Sequence, residues 1–163
     1  MKVAAAARKV VKARKDYHTL IKIVRQNPGV HYRELFRASG LGYGTLEHQL
    51  ALLERLGLLM AHREGGFTRY YNSDVSKTDV ELLYYLKPRA YREIIRLLLD
   101  DASGSFRFQK IIAQMVGKAP STVSVQLGRL IDHKVVSFDE KRGYIVNNKP
   151  AIKRLLLKYK YKV

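Results

Sequence analysis

The 163-residue chain contains no cysteine, which excludes disulfides and thiolate metal sites and fits a reducing cytoplasm. No apolar run approaches the roughly 20 residues a bilayer span needs. The opening "MKVAAAARKVVKARK" is interrupted by arginine too early for the apolar region of a secretory signal. The five histidines (His18, His31, His48, His62 and His133) are dispersed, with no metal-ligand spacing. "GLGYG" follows a helical pattern rather than a strand, and "GKAPST" lacks a Ser or Thr after its lysine, so neither is a phosphate loop. No Ser/His/Asp or paired-carboxylate arrangement emerges from spacing. Nothing here recommends an enzyme, a metal or a cofactor.

Acid is the other scarcity: 14 Asp+Glu stand against 31 Lys+Arg, for a net charge of +17. Such a balance implies a polyanionic partner, either nucleic acid or an anionic membrane surface. The ends are the most basic parts. Residues 1–15 and 149–163 each carry six basic residues and no acid. A hydrophobic content of 47% allows a core, and the length suits one average domain or two small ones.

Hydrophobic periodicity predicts a helix capped by Asp16, with Leu20, Ile21, Ile23 and Val24 as its stripe and Asn27-Pro28-Gly29 as its stop. "VHYRELFRASG" reads as a second helix with Leu35 and Phe36 inward and Gly40 at its end. Leu46, Leu50 and Leu53 define a third, from about Gly44 to Leu56, which Gly57 terminates. A strand from Leu58, a turn at Glu64-Gly65-Gly66 and the return strand "FTRYY" complete a hairpin. Helix, helix, turn, helix and hairpin are the order of a winged helix-turn-helix.

From Ser76 the pattern recurs: "KTDVELLYYLK", then a helix opened by Pro88, then "ASGS" as a break. A helix around Ile111, Ile112 and Met115 comes next, then one with Val123, Leu127 and Leu130 inward. Val135, Val136 and Phe138 make a strand, "DEKRG" a turn and "YIVNN" the return. A final amphipathic helix carries Ile152, Leu155, Leu156 and Tyr159. Leu35, Gly40, Leu46, Leu50, Leu53, Gly57 and Gly66 map onto Ile112, Gly117, Val123, Leu127, Leu130, Lys134 and Gly143, every pair separated by the same interval. Lys134 must therefore adopt a left-handed cap or end its helix differently. The expected fold is mainly α with small β-hairpin wings. Its expected divisions are a basic helix at 1–15, winged-helix domains at 16–75 and 76–148, and a basic helix at 149–163.

A helix that enters a major groove must present polar side chains opposite its apolar stripe. In the first unit that outward set is Thr45, His48, Gln49 and Arg55; in the second it is Ser121, Thr122, Ser124, Gln126 and Arg129. Ser121 or Thr122 serves equally well as a plain N-cap. Arg63 and Arg69 for the first hairpin, and Lys141 and Arg142 for the second, suit minor-groove or phosphate contact, against the alternative of a solvated turn. The first unit also exposes Ala51 and Leu52, which suits a protein partner instead. The terminal helices suggest either a homodimer or a fold-back onto the same chain.

"NPGVHYRELFRASGLGYGTLEHQLALLERLGLL", followed by "RYY", resembles the archaeal winged-helix transcriptional regulators related to the MarR and ArsR groups. The resemblance covers about residues 17–72, and more loosely "STVSVQLGRL" in the second unit. It implies a cytoplasmic regulator that binds double-stranded DNA, with no catalytic site. The rival reading is a protein-interaction module within a transcription or membrane-remodelling assembly; RNA binding is a third.

Overall fold

The computed structural model describes residues 2–101 and 104–161, with side chains described from Arg14 onward. The expected N-terminal stripe of Val3, Ala7 and Val10 lies outside the described side chains, as do Ala102 and Ser103 of the "ASGS" break. The chain divides into two compact units, Met1–Val80 and Glu81–Val163.

In unit 1, α1 (Lys2–Gln26) leads into β1 (Val30–His31), α2 (Tyr32–Ser39), α3 (Tyr43–Arg55), β2 (Leu59–Glu64) and β3 (Phe67–Asn72). β1 and β2 flank β3 in an antiparallel sheet, with Tyr70 paired to Val30 on one side and Ala61 on the other. Leu20 and Val24 of α1 pack with Leu35, Leu46, Leu50, Leu53, Leu59 and Tyr70 as one core. Each such leucine contributes about 1.5–3 kcal/mol by leaving water. Next, α4 (Lys77–Leu86) starts on Ser76, whose hydroxyl accepts the Asp79 N–H at 3.1 Å.

Unit 2 runs through α5 (Arg89–Asp100), α6 (Gln109–Val116), α7 (Pro120–Asp132), β4 (Val136–Asp139), β5 (Gly143–Val146) and α8 (Lys149–Tyr159). Its core includes Ile94, Ile95, Leu98, Ile112, Val123, Leu127, Leu130, Val136, Ile152 and Leu155, all buried. Arg92 is buried too. Its Nη1 donates to the carbonyls of Leu86 and Lys87 at 2.8 and 2.7 Å, satisfying the last turn of α4. Burial pulls this guanidinium's pKa below its usual value.

The bounds of α6 and α7 repeat those of α2 and α3 at the interval that separates Leu35 from Ile112. The end of each longer helix repeats as well. Gly57 takes φ 68° and Lys134 takes φ 57°, both left-handed. Gly57 N–H donates to Glu54 at 3.0 Å and Lys134 N–H to Ile131 at 2.9 Å. Lys134 thus adopts the left-handed cap, and Asn147 Nδ2 holds its carbonyl at 3.0 Å. Gly66 and Gly143 also share positive φ, but only Gly143 is crowded: a Cβ there would lie 2.5 Å from the Phe106 carbonyl oxygen.

Several expectations are corrected. α1 runs unbroken through Asp16, so that residue caps nothing and no helix boundary falls after residue 15. Phe36 is exposed rather than inward, and Ile111, Met115 and Phe138 are exposed as well. On an eight-residue helix Leu35 and Ile112 fill the inward row, and a large neighbour one position away is rotated by about 100°. β1 has no counterpart in the sequence pattern. α8 buries Ile152 and Leu155 and keeps Leu156 and Tyr159 half-covered, so the expected apolar side is largely spent on its own chain; Leu157 alone of its leucines is exposed.

Candidate nucleic-acid interface

α3 buries Leu46, Leu50 and Leu53 and turns Tyr43, Gly44, Thr45, Glu47, His48, Ala51 and Arg55 to solvent. Thr45, His48 and Arg55 therefore stand where the sequence places them. Gln49 does not. It is only 5% exposed, and its Nε2 donates to Asp16 Oδ2 at 3.2 Å, tying α3 to α1. Its Oε1 is buried without a hydrogen-bond partner among the described residues. Its position, three residues after Leu46 and four before Leu53, belongs to the inward row of an i, i+3, i+4, i+7 stripe. Leu52 is half-buried and Leu56 exposed.

The first hairpin differs from expectation. Arg63 is exposed, but its Nη2 reaches both Glu54 carboxylate oxygens at 3.1 and 3.2 Å. The wing is thereby fastened to α3, and part of its charge is neutralised. Arg69 pairs in register with His62 and His31, away from the tip, and is half-buried with Nη1 donating to the Gly29 carbonyl at 3.3 Å. It is a strand residue rather than a tip residue. The side chain that does occupy the tip is Phe67, 63% exposed, paired with Glu64 and stacked edgewise on His31 at 5.7 Å.

α7 presents a cleaner polar surface. Val123, Leu127 and Leu130 are buried, while Ser121, Thr122, Ser124, Val125 and Arg129 are exposed. The N-cap is Ala119 with Pro120 as the first helical residue, so neither Ser121 nor Thr122 caps the helix. Both hydroxyls remain on the solvent side. Gln126 occupies the place of Gln49 in the repeat; it is half-buried and its Oε1 is buried without a hydrogen-bond partner among the described residues. It is not an outward reader. Arg129 Nη1 donates to the Tyr91 hydroxyl at 3.2 Å, and this bond is the main reason its pKa is raised.

In the second hairpin Asp139 Oδ1 accepts the backbone N–H groups of Lys141 and Arg142 at 2.9 and 2.8 Å. That side-chain turn shapes the tip and leaves both cationic side chains exposed. Near them, a cavity of about 330 Å³ is lined by Lys141, Arg142 and Lys149 together with Asp101 and Tyr144. Among the described residues no cluster of His, Asp or Glu suits a metal ion, and no helix is long and apolar enough to cross a membrane.

Residues 14–83 match the family model HTH_HVO_0163_N, described as an N-terminal HTH domain, a stretch that contains α2 and α3 with their turn and the first hairpin. Over 123 residues the chain is 29% identical to "Uncharacterized HTH-type transcriptional regulator MJ1398" of Methanocaldococcus jannaschii. That overlap covers 76% of this chain and 30% of the relative, so the chain spans less than a third of that protein's length. No solved structure matches it. Geometry and similarity thus agree on a helix-turn-helix in unit 1.

Proposed function

We propose that the chain is a transcriptional regulator that binds double-stranded DNA in a sequence-specific way through two tandem winged helix-turn-helix units, of MarR/ArsR-like kind. The observation that carries this reading is α7: an apolar row buried in unit 2, a solvent-facing row of Ser121, Thr122, Ser124 and Arg129 opposite it, and a cationic hairpin tip after it. An α-helix with short hydroxyls and an arginine on one face fits a major groove, and Lys141 and Arg142 supply phosphate contacts. α3, with Thr45, His48 and Arg55, is the second reader, supported by the match over residues 14–83. A homodimer through the terminal helices would use what α8 leaves exposed, Leu157 foremost, since Ile152 and Leu155 are already buried.

The test is selection of full-length protein on random duplex DNA, followed by binding of the enriched sequence and a scrambled control. The reading requires an enriched motif bound more tightly than the control; equal binding of both removes sequence specificity. A second reading, a protein-interaction face, is favoured by Phe108, Ile111 and Met115, which lie exposed at the start and along one side of α6. Replacing Met115 and Ile111 with lysine leaves DNA binding intact in that reading but abolishes capture of transcription-machinery proteins.

A further inference from the structure

Unit 1 carries a surface that its duplex-reading residues do not use. Tyr43, the first residue of α3, is 64% exposed. The Tyr32 ring meets it edge-on at 5.4 Å and the Phe36 ring at 6.3 Å, so the neighbours prop Tyr43 without enclosing it. The Tyr32 hydroxyl also donates to the Tyr43 carbonyl at 3.4 Å. His31, adjacent to Tyr32, bears the wing-tip ring of Phe67. Arg33 and Arg37 stand exposed on α2 among these rings. His31, Tyr32, Arg33, Arg37 and Phe67 line a cleft of about 440 Å³, within the range of small-ligand sites. Glu34 is also in its wall, with its carboxylate accepting the His31 N–H at 2.9 Å.

Large rings left in water are unfavourable for a soluble surface unless something covers them. Arg33 and Arg37 share the cleft with Tyr32 and Phe67, with Tyr43 against Tyr32 beside it, which calls for an anionic occupant that offers flat faces, and a duplex keeps its base faces stacked on one another. Rings alternating with cations match one chemistry: bases with open faces on a phosphate chain. We infer that this face of unit 1 binds single-stranded DNA, stacking unpaired bases on Tyr43 and Phe67 while Arg33 and Arg37 meet the phosphates. At the corresponding places of the repeat, unit 2 has Pro120 for Tyr43, Ala113 for Phe36, Gln114 for Arg37 and Gln109 for Tyr32, while Lys110 stands for Arg33 and a buried Tyr144 for Phe67. Unit 2 thus keeps one cation but neither exposed ring of the pair Tyr43 and Phe67.

The test uses full-length protein, a labelled oligothymidylate of about fifteen nucleotides and a mixed-sequence duplex, read by fluorescence anisotropy across a salt series. Tyr43→Ala and Phe67→Ala are each expected to weaken oligothymidylate binding about tenfold, a value within the range of one base–aromatic stack. The salt slope stays unchanged, because stacking releases no counterions, and duplex affinity moves by less than about twofold. Tyr43→Phe keeps the ring and so keeps the affinity, which separates stacking from a folding defect. Arg37→Ala flattens the single-strand slope by about 0.7. Equal loss on single strand and duplex in the alanine variants, or no loss on the single strand, overturns the inference. So does oligouridylate binding tighter than oligothymidylate by more than about tenfold, which assigns the platform to RNA. Loss of the duplex arm with the oligothymidylate arm intact would overturn the regulator reading and leave this one standing.

Discussion

Gly57 and Lys134 end the same helix in the two units, with φ of 68° and 57° and capping bonds of 3.0 Å to Glu54 and 2.9 Å to Ile131. One residue is suited to the left-handed region and the other is forced into it. The next bonds are equally alike, Leu58 N–H to Leu53 and Val135 N–H to Leu130, both at 2.9 Å. Backbone geometry therefore survives a residue that opposes it, because Asn147 anchors the Lys134 carbonyl and the buried Leu127 and Leu130 set the helix. Surfaces have not survived in the same way. Where unit 1 shows Tyr43, Phe36 and Phe67, unit 2 has Pro120, a buried Ala113 and a Tyr144 packed on Phe138 at 4.9 Å. Packing constrains the frame, while the residues outside it are at liberty to diverge in what they contact.

The largest expected effect tests the shared frame. Leu50→Ala and Leu127→Ala remove equivalent, fully packed side chains and should each cost about 2–5 kcal/mol in urea unfolding. If one is nearly silent, the two cores are not equivalent.

The next effect separates the surfaces. Thr122→Ala with Arg129→Ala should weaken duplex binding by about 1–3 kcal/mol in a titration of selected DNA. Thr45→Ala with His48→Ala, on α3, should weaken it by less. The reverse order would make unit 1 the principal duplex reader.

Lys134→Gly should raise stability by about 1 kcal/mol, since glycine carries no Cβ penalty at this φ, and Gly57→Lys should lower it by a similar amount. Paired chemical denaturation curves measure both. A destabilised Lys134→Gly would mean that the lysine makes compensating contacts that its backbone strain conceals.

The smallest effect concerns acid. Glu93 is held below the usual carboxylate range, chiefly by its 2.6 Å hydrogen bond from Arg89, with Lys118 also nearby at 3.8 Å. A depressed folded pKa contributes stability above the unfolded value, and that stability is lost as pH falls through the folded one. Arg89 is exposed and Glu93 half-covered, so solvent screens much of the pair; Glu93→Gln should cost only a few tenths of a kcal/mol at neutral pH, and the difference from wild type should vanish in strong acid. In unit 1 the exposed Arg63 meets Glu54 at 3.1 Å, so Glu54→Gln measured beside it, by urea midpoints at two pH values, compares the units directly. A Glu93→Gln difference that persists in strong acid would assign that residue a role beyond its charge.

Leu46, Leu50 and Leu53 and their counterparts at Val123, Leu127 and Leu130 are legible in the sequence because a buried helical row leaves a 3.6-residue signature. Gln49 and Gln126 read as outward only when polarity is weighed above periodicity, since both sit in the inward i+3 row. Asp16 resembles a cap by residue type, but its carboxylate answers Gln49 across the core edge, a contact distant along the chain that no local rule contains. β1 is two residues long and exists only through its pairing with β3, so its sequence carries no period. Arg69 resembles a tip cation by its nearness to the glycine pair, whereas strand register places it beside His31 and His62. The platform of Tyr43 and Phe67 escapes a sequence reading because one falls in the glycine-rich turn and the other at the start of the return strand, and neither place by itself fixes exposure. Its exposure depends on where the chain turns.

A salt titration of full-length protein on duplex DNA tests the central claim most directly. If the outward row of α7 and the tip of Lys141 and Arg142 lie against the backbone, Arg129, Lys141 and Arg142 each neutralise a phosphate. At about −0.9 per contact, log K against log salt should then fall with a slope of about −2.7 or steeper. A slope near zero, or no duplex binding at low salt, would contradict the account.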